Sequence, residues 1–291
     1  MSITKYKTLF IGIAIAMVVM SGVAIAQFGI KKGIDFTGGT VVEINYATSS
    51  VPKVDVEAFH AKDIKVFTTG PSSFKFISQK SYDDTKVTMV ALLNPTSHPY
   101  TETQVNTVGA SMGSEMTKKA IIAIIIVAFA ILSFIAFAFR EVSVPVASWK
   151  YGVVAMVTII HDIIIPTGVY AFLSSRYGAE IDTLFVVALL TVMAVTISDK
   201  IVVFDRIREN LKNFGTKRPF ETVVDESLIQ TFTRSINTSM TTVLSLVALY
   251  FYGPESTKFF SLTLMVGIIV GTYSSIFVAS PILTYFVKKN K

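Results

Sequence analysis

The sequence has no cysteine and only three histidines in 291 residues. A chain without cysteine has no disulfides, no thiol nucleophile and no cysteine-based metal site. His60, His98 and His161 do not follow a recognisable metal-binding spacing, so we expect neither a metal nor another cofactor. The sequence also lacks a nucleophile elbow, a phosphate-binding glycine loop and an acid–base pair for hydrolysis. These absences argue against an enzyme.

Charged residues are scarce as well: 16% of the residues are charged and 52% are hydrophobic, and the mean hydropathy is +0.59. A soluble chain of this length needs more polar residues to surround its core. About 20 consecutive, mostly apolar residues span a bilayer as a helix. Six such runs occur, at 9–28, 120–139, 146–173, 183–204, 236–252 and 259–287. The sequence therefore predicts a polytopic α-helical membrane protein with six transmembrane helices.

An alternative interpretation of the first run is a cleavable secretion signal, because Lys5 and Lys7 precede it and it ends in Ala24-Ile25-Ala26. Its apolar region of roughly 18 residues is longer than a signal core of about 7–15. Retention as a membrane anchor is therefore favoured.

The basic residues sort to one side of the membrane. If the N-terminus is cytoplasmic, the two short outer loops hold only Arg176 and Lys258. The inner segments hold Lys5, Lys7, Arg140, Lys150, Arg206, Arg208, Lys212, Lys217, Arg218, Arg234, Lys288, Lys289 and Lys291. This is the positive-inside pattern, which places both termini and the loop 205–235 in the cytoplasm. The net charge of +6 follows from that topology, and no nucleic-acid partner is expected.

Residues 29–118 break the membrane pattern and predict one small extracytoplasmic domain, so that residues 1–28 form the first span and 119–291 a five-helix membrane domain. The expected strands are 33–46, interrupted by Gly38-Gly39, then a hairpin of 64–69 and 73–79, and 86–93. The expected helices are 52–61 and 101–116. Together they predict an α+β sandwich with helices on one face of a mainly antiparallel sheet.

The loop 205–235 is compatible with an amphipathic helix, because Phe204, Ile207 and Leu211 share one face. It is either a surface helix at the lipid headgroups or a docking site for a cytoplasmic partner.

Ionisable residues inside the predicted spans are informative, because each costs about 2.5 to 3.5 kcal/mol to insert. The third span contains His161-Asp162, and the fourth contains Asp199. The neighbours of Asp199 are Thr196, Ser198 and Lys200, of which Lys200 is interpreted as a cation that snorkels to the inner surface.

The fifth span begins with a polar stripe. Arg234, Asn237, Thr238, Thr241 and Ser245 share one helix face. Because such a face is unfavourable in lipid, we expect it to turn toward Asp199, toward the His161-Asp162 pair, or toward a partner subunit.

An aspartate and an arginine that meet in a low-dielectric interior can act as a switch, because protonation of the carboxylate releases the arginine. Asp199 and Arg234 are the candidates for such a proton relay. The alternative is that the polar residues only form hydrogen bonds that hold the helices together. Spacing alone leaves both interpretations open.

The sixth span carries a small residue at every fourth position, including Gly267, Gly271 and Ser275. Such stripes allow helix backbones to approach closely, which predicts a packing role.

Several of these segments together resemble the SecD/SecF family of bacterial protein-export membrane proteins, and its SecF subunits in particular, over nearly the whole chain. The family belongs to the resistance-nodulation-division superfamily. The first signature is GIDFTGG at 33–39, with Gly33, Asp35, Gly38 and Gly39. The others are His161-Asp162, IVVFDRIREN at 201–210, RSINTS at 234–239 and GIIVGTYSSIFVAS at 267–280.

The resemblance implies a subunit of the bacterial cytoplasmic (inner) membrane that pairs with SecD as a heterodimer and associates with the SecYEG channel. It also implies use of the proton motive force to help complete preprotein translocation, and a mobile, ferredoxin-like outer domain that contacts preprotein. By the same resemblance, Asp199 and Arg234 take part in proton passage.

Some positions depart from the family pattern. Ser198 and Lys200 stand where Asn and Thr are usual, and Ala110 where proline is usual. Two other classes of function remain open: a proton-coupled exporter of small hydrophobic molecules or lipids, and a passive scaffold of the channel. Exporters of that superfamily usually carry two six-helix units, and this chain has one.

Overall fold

The computed structural model describes residues 2–47, 51, 54–96, 98–138, 146–214 and 218–287. In chain order the labelled elements are α1 (Lys7–Phe28), α2 (Ile34–Thr37), β1 (Gly39–Tyr46), α3 (Val56–His60), β2 (Ile64–Thr68), β3 (Ser73–Ser78), α4 (Tyr82–Leu93), β4 (Tyr100–Val108), α5 (Ala110–Ala138), α6 (Ser148–Tyr177), α7 (Thr183–Phe214), α8 (Phe220–Tyr252), α9 (Lys258–Ser274) and α10 (Ser280–Leu283). A π-helical segment, Ser275–Ala279, joins α9 to α10.

The chain divides into two compact units. The helical unit comprises Met1–Ile30, Ala123–Ala179 and Leu184–Lys291. The sheet unit comprises Lys31–Ile122 and Glu180–Thr183. Helices α5 and α7 each begin in the sheet unit and continue into the helical unit.

The sheet unit contains a four-stranded antiparallel sheet with the strand order β2-β3-β1-β4. Strand β1 lies in the interior of the sheet, where Val42 and Ile44 are buried. Phe59 of α3 and Met89 of α4 belong to the same apolar cluster as these strand residues. The hairpin predicted from 64–69 and 73–79 is confirmed as β2 and β3.

Two predicted elements of this unit are wrong. Residues 86–93, predicted as a strand, belong to helix α4, in which Thr85, Met89 and Leu93 are buried at four-residue spacing. The helix predicted at 101–116 is a strand as far as Val108, and α5 begins at Ala110.

Two other predicted elements begin later than expected. The strand predicted from residue 33 starts at Gly39, because Ile34–Thr37 forms one helical turn. The helix predicted at 52–61 starts at Val56, where the Asp55 carboxylate accepts a hydrogen bond from Ala58 N at 3.1 Å. Pro52 and Lys53 lie outside the described residues.

In the described part of the chain, five helices are long and apolar enough to cross a membrane: Thr4–Phe28, Ala110–Ala138, Trp149–Tyr177, Thr183–Asn213 and Lys258–Phe286. They contain or largely cover five of the six predicted runs. The remaining run, 236–252, forms the second half of α8. Its polar residues make this run less apolar than the other five runs. Phe139, Arg140, Lys217 and the basic residues at 288, 289 and 291 lie outside the described residues.

The helical unit packs closely where glycines face neighbouring helices. A Cβ atom on Gly267 would overlap the Val192 side chain of α7, and one on Gly271 would overlap Thr196. The same Cβ on Gly271 would lie 3.6 Å from Asp162 Oδ2 of α6. Helices α6, α7 and α9 therefore meet at the level of Asp162. Ser275 is buried one turn beyond and donates to Gly271 O at 2.8 Å.

Candidate functional site

The junction of α6, α7 and α9 contains a buried ion pair. Lys200 Nζ of α7 lies 2.5 Å from Asp162 Oδ2 of α6, and both side chains are 0% exposed. The other oxygen of Asp162 lies 2.9 Å from His161 Nδ1. The Ser274 side chain of α9 also lies beside the carboxylate, and its hydroxyl donates to Gly271 O at 3.0 Å. The junction thus surrounds one carboxylate with polar groups from three helices.

The interpretation of Lys200 as a snorkelling surface cation is wrong. Its ammonium group stays inside because Asp162 neutralises the charge, which removes much of the cost of burying it. A lysine in an apolar run, with an aspartate in another span, was the sequence signal for this pair.

Two polar atoms beside the pair have no hydrogen-bond partner within the described residues. They are His161 Nε2 and Thr196 Oγ1, and these residues are 7% and 1% exposed. Buried polar groups are normally satisfied, so these two atoms distinguish the junction from the apolar packing around it.

Asp199 lies on the next face of α7 and is 9% exposed. The Ser239 side chain of α8 lies next to it. The Ser239 and Thr272 hydroxyls are 2.5 Å apart, which extends this chain of polar groups to α9. Sequence reasoning missed Ser239 and Thr272, because hydroxyl residues are common in transmembrane helices and these two lie outside the polar stripe.

Arg234 interacts electrostatically with Asp199. No direct ion pair joins the two side chains, both of which the structure describes. Arg234 is exposed in the isolated chain, whereas Asp199 is buried. The arrangement brings the two candidate relay residues close together, and the Ser239 side chain lies next to the Asp199 carboxylate.

The polar stripe of α8 does not turn into the helical unit. Asn237, Thr238, Thr241 and Ser245 are exposed, whereas Ser235, Ser239 and Leu246 form the buried face. Thr241 Oγ1 donates to its own helix at Asn237 O, 2.6 Å away. Ser198 of α7 is exposed too. Apart from Arg234, which lies near Asp199, the stripe is therefore turned neither toward Asp199 nor toward the His161-Asp162 pair.

The glycine-rich signature of the sheet unit has a definite geometry. Gly33 N donates to Ile181 O at 2.8 Å. The Asp35 carboxylate accepts from the backbone N–H and the hydroxyl of Thr183, at 2.9 and 2.8 Å. Because Thr183 is the first residue of α7, Asp35 caps the helix that carries Asp199 and Lys200.

Gly38 and Gly39 are required by both space and backbone conformation. Their φ angles are +77° and +133°, values that side-chain-bearing residues rarely adopt. A Cβ on Gly38 would lie 2.6 Å from Ala110 Cα, and one on Gly39 would overlap Ser78 O. The pair therefore holds the start of β1 close to β3 and α5.

No three His, Asp or Glu side chains gather into a metal-binding group among the residues that the structure describes. What the helical unit offers instead is a set of carboxylates, cations and hydroxyls that can hold and transfer protons.

Comparison with known proteins agrees with these features. The family model described as "Protein export membrane protein SecD/SecF, C-terminal" matches residues 88–289, and the SecD/SecF GG motif matches residues 23–49. The protein translocase subunit SecF of Thermobaculum terrenum is 36% identical, over 99% of this chain and 94% of its own length. The subunit of the same name from Anaerolinea thermophila is 34% identical, over 97% of this chain and 93% of its own.

A similar solved structure is that of SecDF from Thermus thermophilus, described as a translocon-associated membrane protein. Its TM-score is 0.83 at 28% identity, and the match covers 98% of this chain but only 38% of that chain. The two family models together match residues 23–49 and 88–289, and the two SecF relatives match over nearly their whole length. The chain belongs to the SecD/SecF family of protein-export membrane proteins.

Proposed function

We propose that this chain is an accessory subunit of the Sec protein-translocation machinery, and that it uses the proton motive force to help complete preprotein translocation. The names of its relatives support protein export over the export of small hydrophobic molecules or lipids. Asp199 carries the mechanistic part of the proposal: it is buried, lies next to Ser239 and is within the electrostatic influence of Arg234.

The proposed mechanism is a change of charge at Asp199. As a carboxylate, Asp199 attracts Arg234 and binds α8 to α7. Protonation removes that attraction, so that α8 and its arginine can move relative to α7. A membrane potential supplies about 2.3 kcal/mol per charge per 100 mV, which is enough to bias such an equilibrium.

The exposed stripe of α8 supports a partner subunit in the membrane. A face with Arg234, Asn237, Thr238 and Thr241 is unfavourable against lipid, so we infer that it packs against SecD in a heterodimer. SecYEG is the proposed channel, in the bacterial cytoplasmic membrane. This assignment carries with it six spans and cytoplasmic termini, with α8 as the additional crossing.

We further propose that the sheet unit is a ferredoxin-like domain on the outer side of the membrane, where it contacts preprotein. The element order β1-α3-β2-β3-α4-β4, together with the strand order β2-β3-β1-β4, supports this assignment. The domain boundaries inferred from sequence, 1–28, 29–118 and 119–291, remain predictions, and so does the absence of an enzymatic activity.

The test replaces the two relay residues separately. We expect Asp199→Asn and Arg234→Met each to abolish the stimulation of preprotein export by a proton gradient in membrane vesicles. Copurification with SecD should stay unchanged for Asp199→Asn, because Asp199 is buried within the chain. Arg234 lies on the face proposed to contact SecD, so Arg234→Met is compared with the parent chain at equal amounts of copurified SecD. Asp83→Asn is the matched control, because it makes the same chemical change at an exposed position of α4. Normal gradient-stimulated export by both relay variants would leave the passive scaffold as the better explanation.

A further inference from the structure

Lys200 is a charged residue that the proposed relay leaves without a role. It follows Asp199 directly in α7, yet its side chain extends to α6, where Nζ lies 2.5 Å from Asp162 Oδ2. Both side chains are completely buried. A lysine at this depth requires a stable counter-charge, since an unpaired ammonium group is costly to remove from water.

Both oxygens of Asp162 are engaged. Oδ2 meets the Lys200 ammonium and Oδ1 lies 2.9 Å from His161 Nδ1, while the Ser274 side chain of α9 lies beside the carboxylate. Lys200 Nζ also lies 3.5 Å from Thr196 O. The pair is thus held by contacts within α6 and α7, which favours one fixed geometry over an exchange of partners.

The surroundings contain few other groups that can titrate. Helix α7 contributes Asp199, on which Arg234 of α8 acts. Helix α9 contributes Tyr273, whose hydroxyl donates to Phe10 O at 2.8 Å. Helix α1 packs on α6 and has no ionisable side chain between residues 8 and 27. Within the described residues, the charge of Asp162 is therefore balanced by Lys200, with His161 as its neighbour.

We propose that Lys200 is a positioning residue that holds Asp162 permanently as a carboxylate. The pair then stays neutral as a whole through the working cycle, and of Asp162 and Asp199 only Asp199 exchanges protons. The first statement, that Lys200 holds Asp162 as a carboxylate, stands independently of the proposed function. The second statement, that only Asp199 exchanges protons, rests on the proposed function.

A double-mutant cycle tests the pair in the full chain, purified together with SecD. The variants are Lys200→Met, Asp162→Asn and the combination of both, and the measurement is the midpoint of thermal unfolding from acidic to alkaline pH. Each single change leaves a buried charge without its partner, whereas the double change removes both charges. Lys118→Met is the matched control, because it removes an exposed lysine.

We expect Lys200→Met to lower the midpoint by about 10 °C at alkaline pH. This loss should shrink as the pH falls, because protonation neutralises Asp162. Asp162→Asn should lower the midpoint as well, because it leaves the Lys200 ammonium group buried without its counter-charge. The double variant should unfold within about 3 °C of the parent chain throughout the pH range.

Additive losses in the double variant, or a loss in Lys200→Met that does not change with pH, would overturn the proposal. If the single variants fail to accumulate in the membrane, the double variant decides. Its accumulation supports a compensated charge pair, and its failure to accumulate argues against one.

Gradient-stimulated export separates this proposal from the proposed function. The double variant should retain export, whereas Asp199→Asn should lose it. A stable double variant without export would show that Asp162 takes part in proton exchange and would overturn the second statement. Normal export by Asp199→Asn would instead contradict the relay, and the unfolding experiment would still decide the state of the pair.

Discussion

At Gly271, α9 comes so close to α7 that one added methyl group would overlap the Thr196 side chain. We expect Gly271→Ala to destabilise the helical unit by about 1–3 kcal/mol, the usual cost of overpacking a closely packed core. Thr196→Ser removes the nearest atom, the Thr196 methyl group, and keeps the hydroxyl, so the double variant should recover part of the loss. Recovery is incomplete because residue 196 Cβ still lies 2.7 Å from the added methyl group. The measurement is the thermal unfolding midpoint of the purified chain.

Gly12→Ala is the matched control, because no atom lies within 4 Å of a Cβ at that position of α1. Equal stability of Gly271→Ala and Gly12→Ala would contradict the close packing. The absence of any rescue by Thr196→Ser would mean that the overlap with residue 196 Cβ, and not with its methyl group, sets the cost.

Single residues were predictable to different degrees. Asp199 and Asp162 stand out in the sequence because carboxylates are rare in apolar runs. The partner of Asp162 could not be derived, since the choice between a snorkelling and a buried Lys200 depends on which face of α6 lies opposite α7. Ser239 escaped notice for the same reason: a hydroxyl gains its importance from its neighbour, and the sequence does not give the neighbour.

At the scale of single elements, the Asp35 carboxylate caps the first turn of α7 with two hydrogen bonds from Thr183. We expect Asp35→Ala to lower the free energy of unfolding by about 1 kcal/mol, the typical value of a helix cap. Asp35→Asn should lose less, because its amide oxygen can still accept from the backbone N–H of Thr183. Denaturation of the purified chain measures both effects.

Asp83→Ala is the control for this experiment, because Asp83 is an exposed aspartate in the first turn of α4. An Asp35→Ala chain as stable as the Asp83→Ala chain would contradict the capping role.

The elements that were misassigned show how packing overrides local preference. The segment 86–93 is rich in Val, Thr and Leu, which favours a strand. Its caps indicate a helix instead: Asp84 N donates to the Ser81 hydroxyl at 3.3 Å, and Asn94 ends the helix with a φ of +49°. In 100–108 most residues are polar because β4 is an exposed edge strand, and the apolar residues Tyr100, Val105 and Val108 do not alternate regularly. No apolar alternation was available there to reveal a strand.

For the whole molecule, the apolar runs established the membrane class and the interruption at 29–118 indicated a separate soluble unit. The number of crossings depends on α8, because the other five long helices are apolar enough to span a membrane. Helix α8 combines a buried face, with Ser235, Ser239 and Leu246, and an exposed polar stripe. The polar stripe lowers the mean hydropathy of α8, although a helix whose polar stripe is covered by a partner can still span a membrane. Whether α8 crosses the bilayer therefore has to be decided by the accessibility of its two ends.

Because the natural chain has no cysteine, single cysteines can report this topology. Asn213→Cys lies near the end of α7, before α8, and Ser256→Cys follows α8; both positions are exposed. If α8 crosses, a membrane-impermeant maleimide should label Ser256→Cys from outside the cell and Asn213→Cys only in inverted vesicles. Thr103→Cys, on the exposed strand β4, should share the outside pattern, and the parent chain should stay unlabelled. Labelling of residues 213 and 256 from the same side would mean that α8 does not cross, and would place the C-terminus outside the cytoplasm.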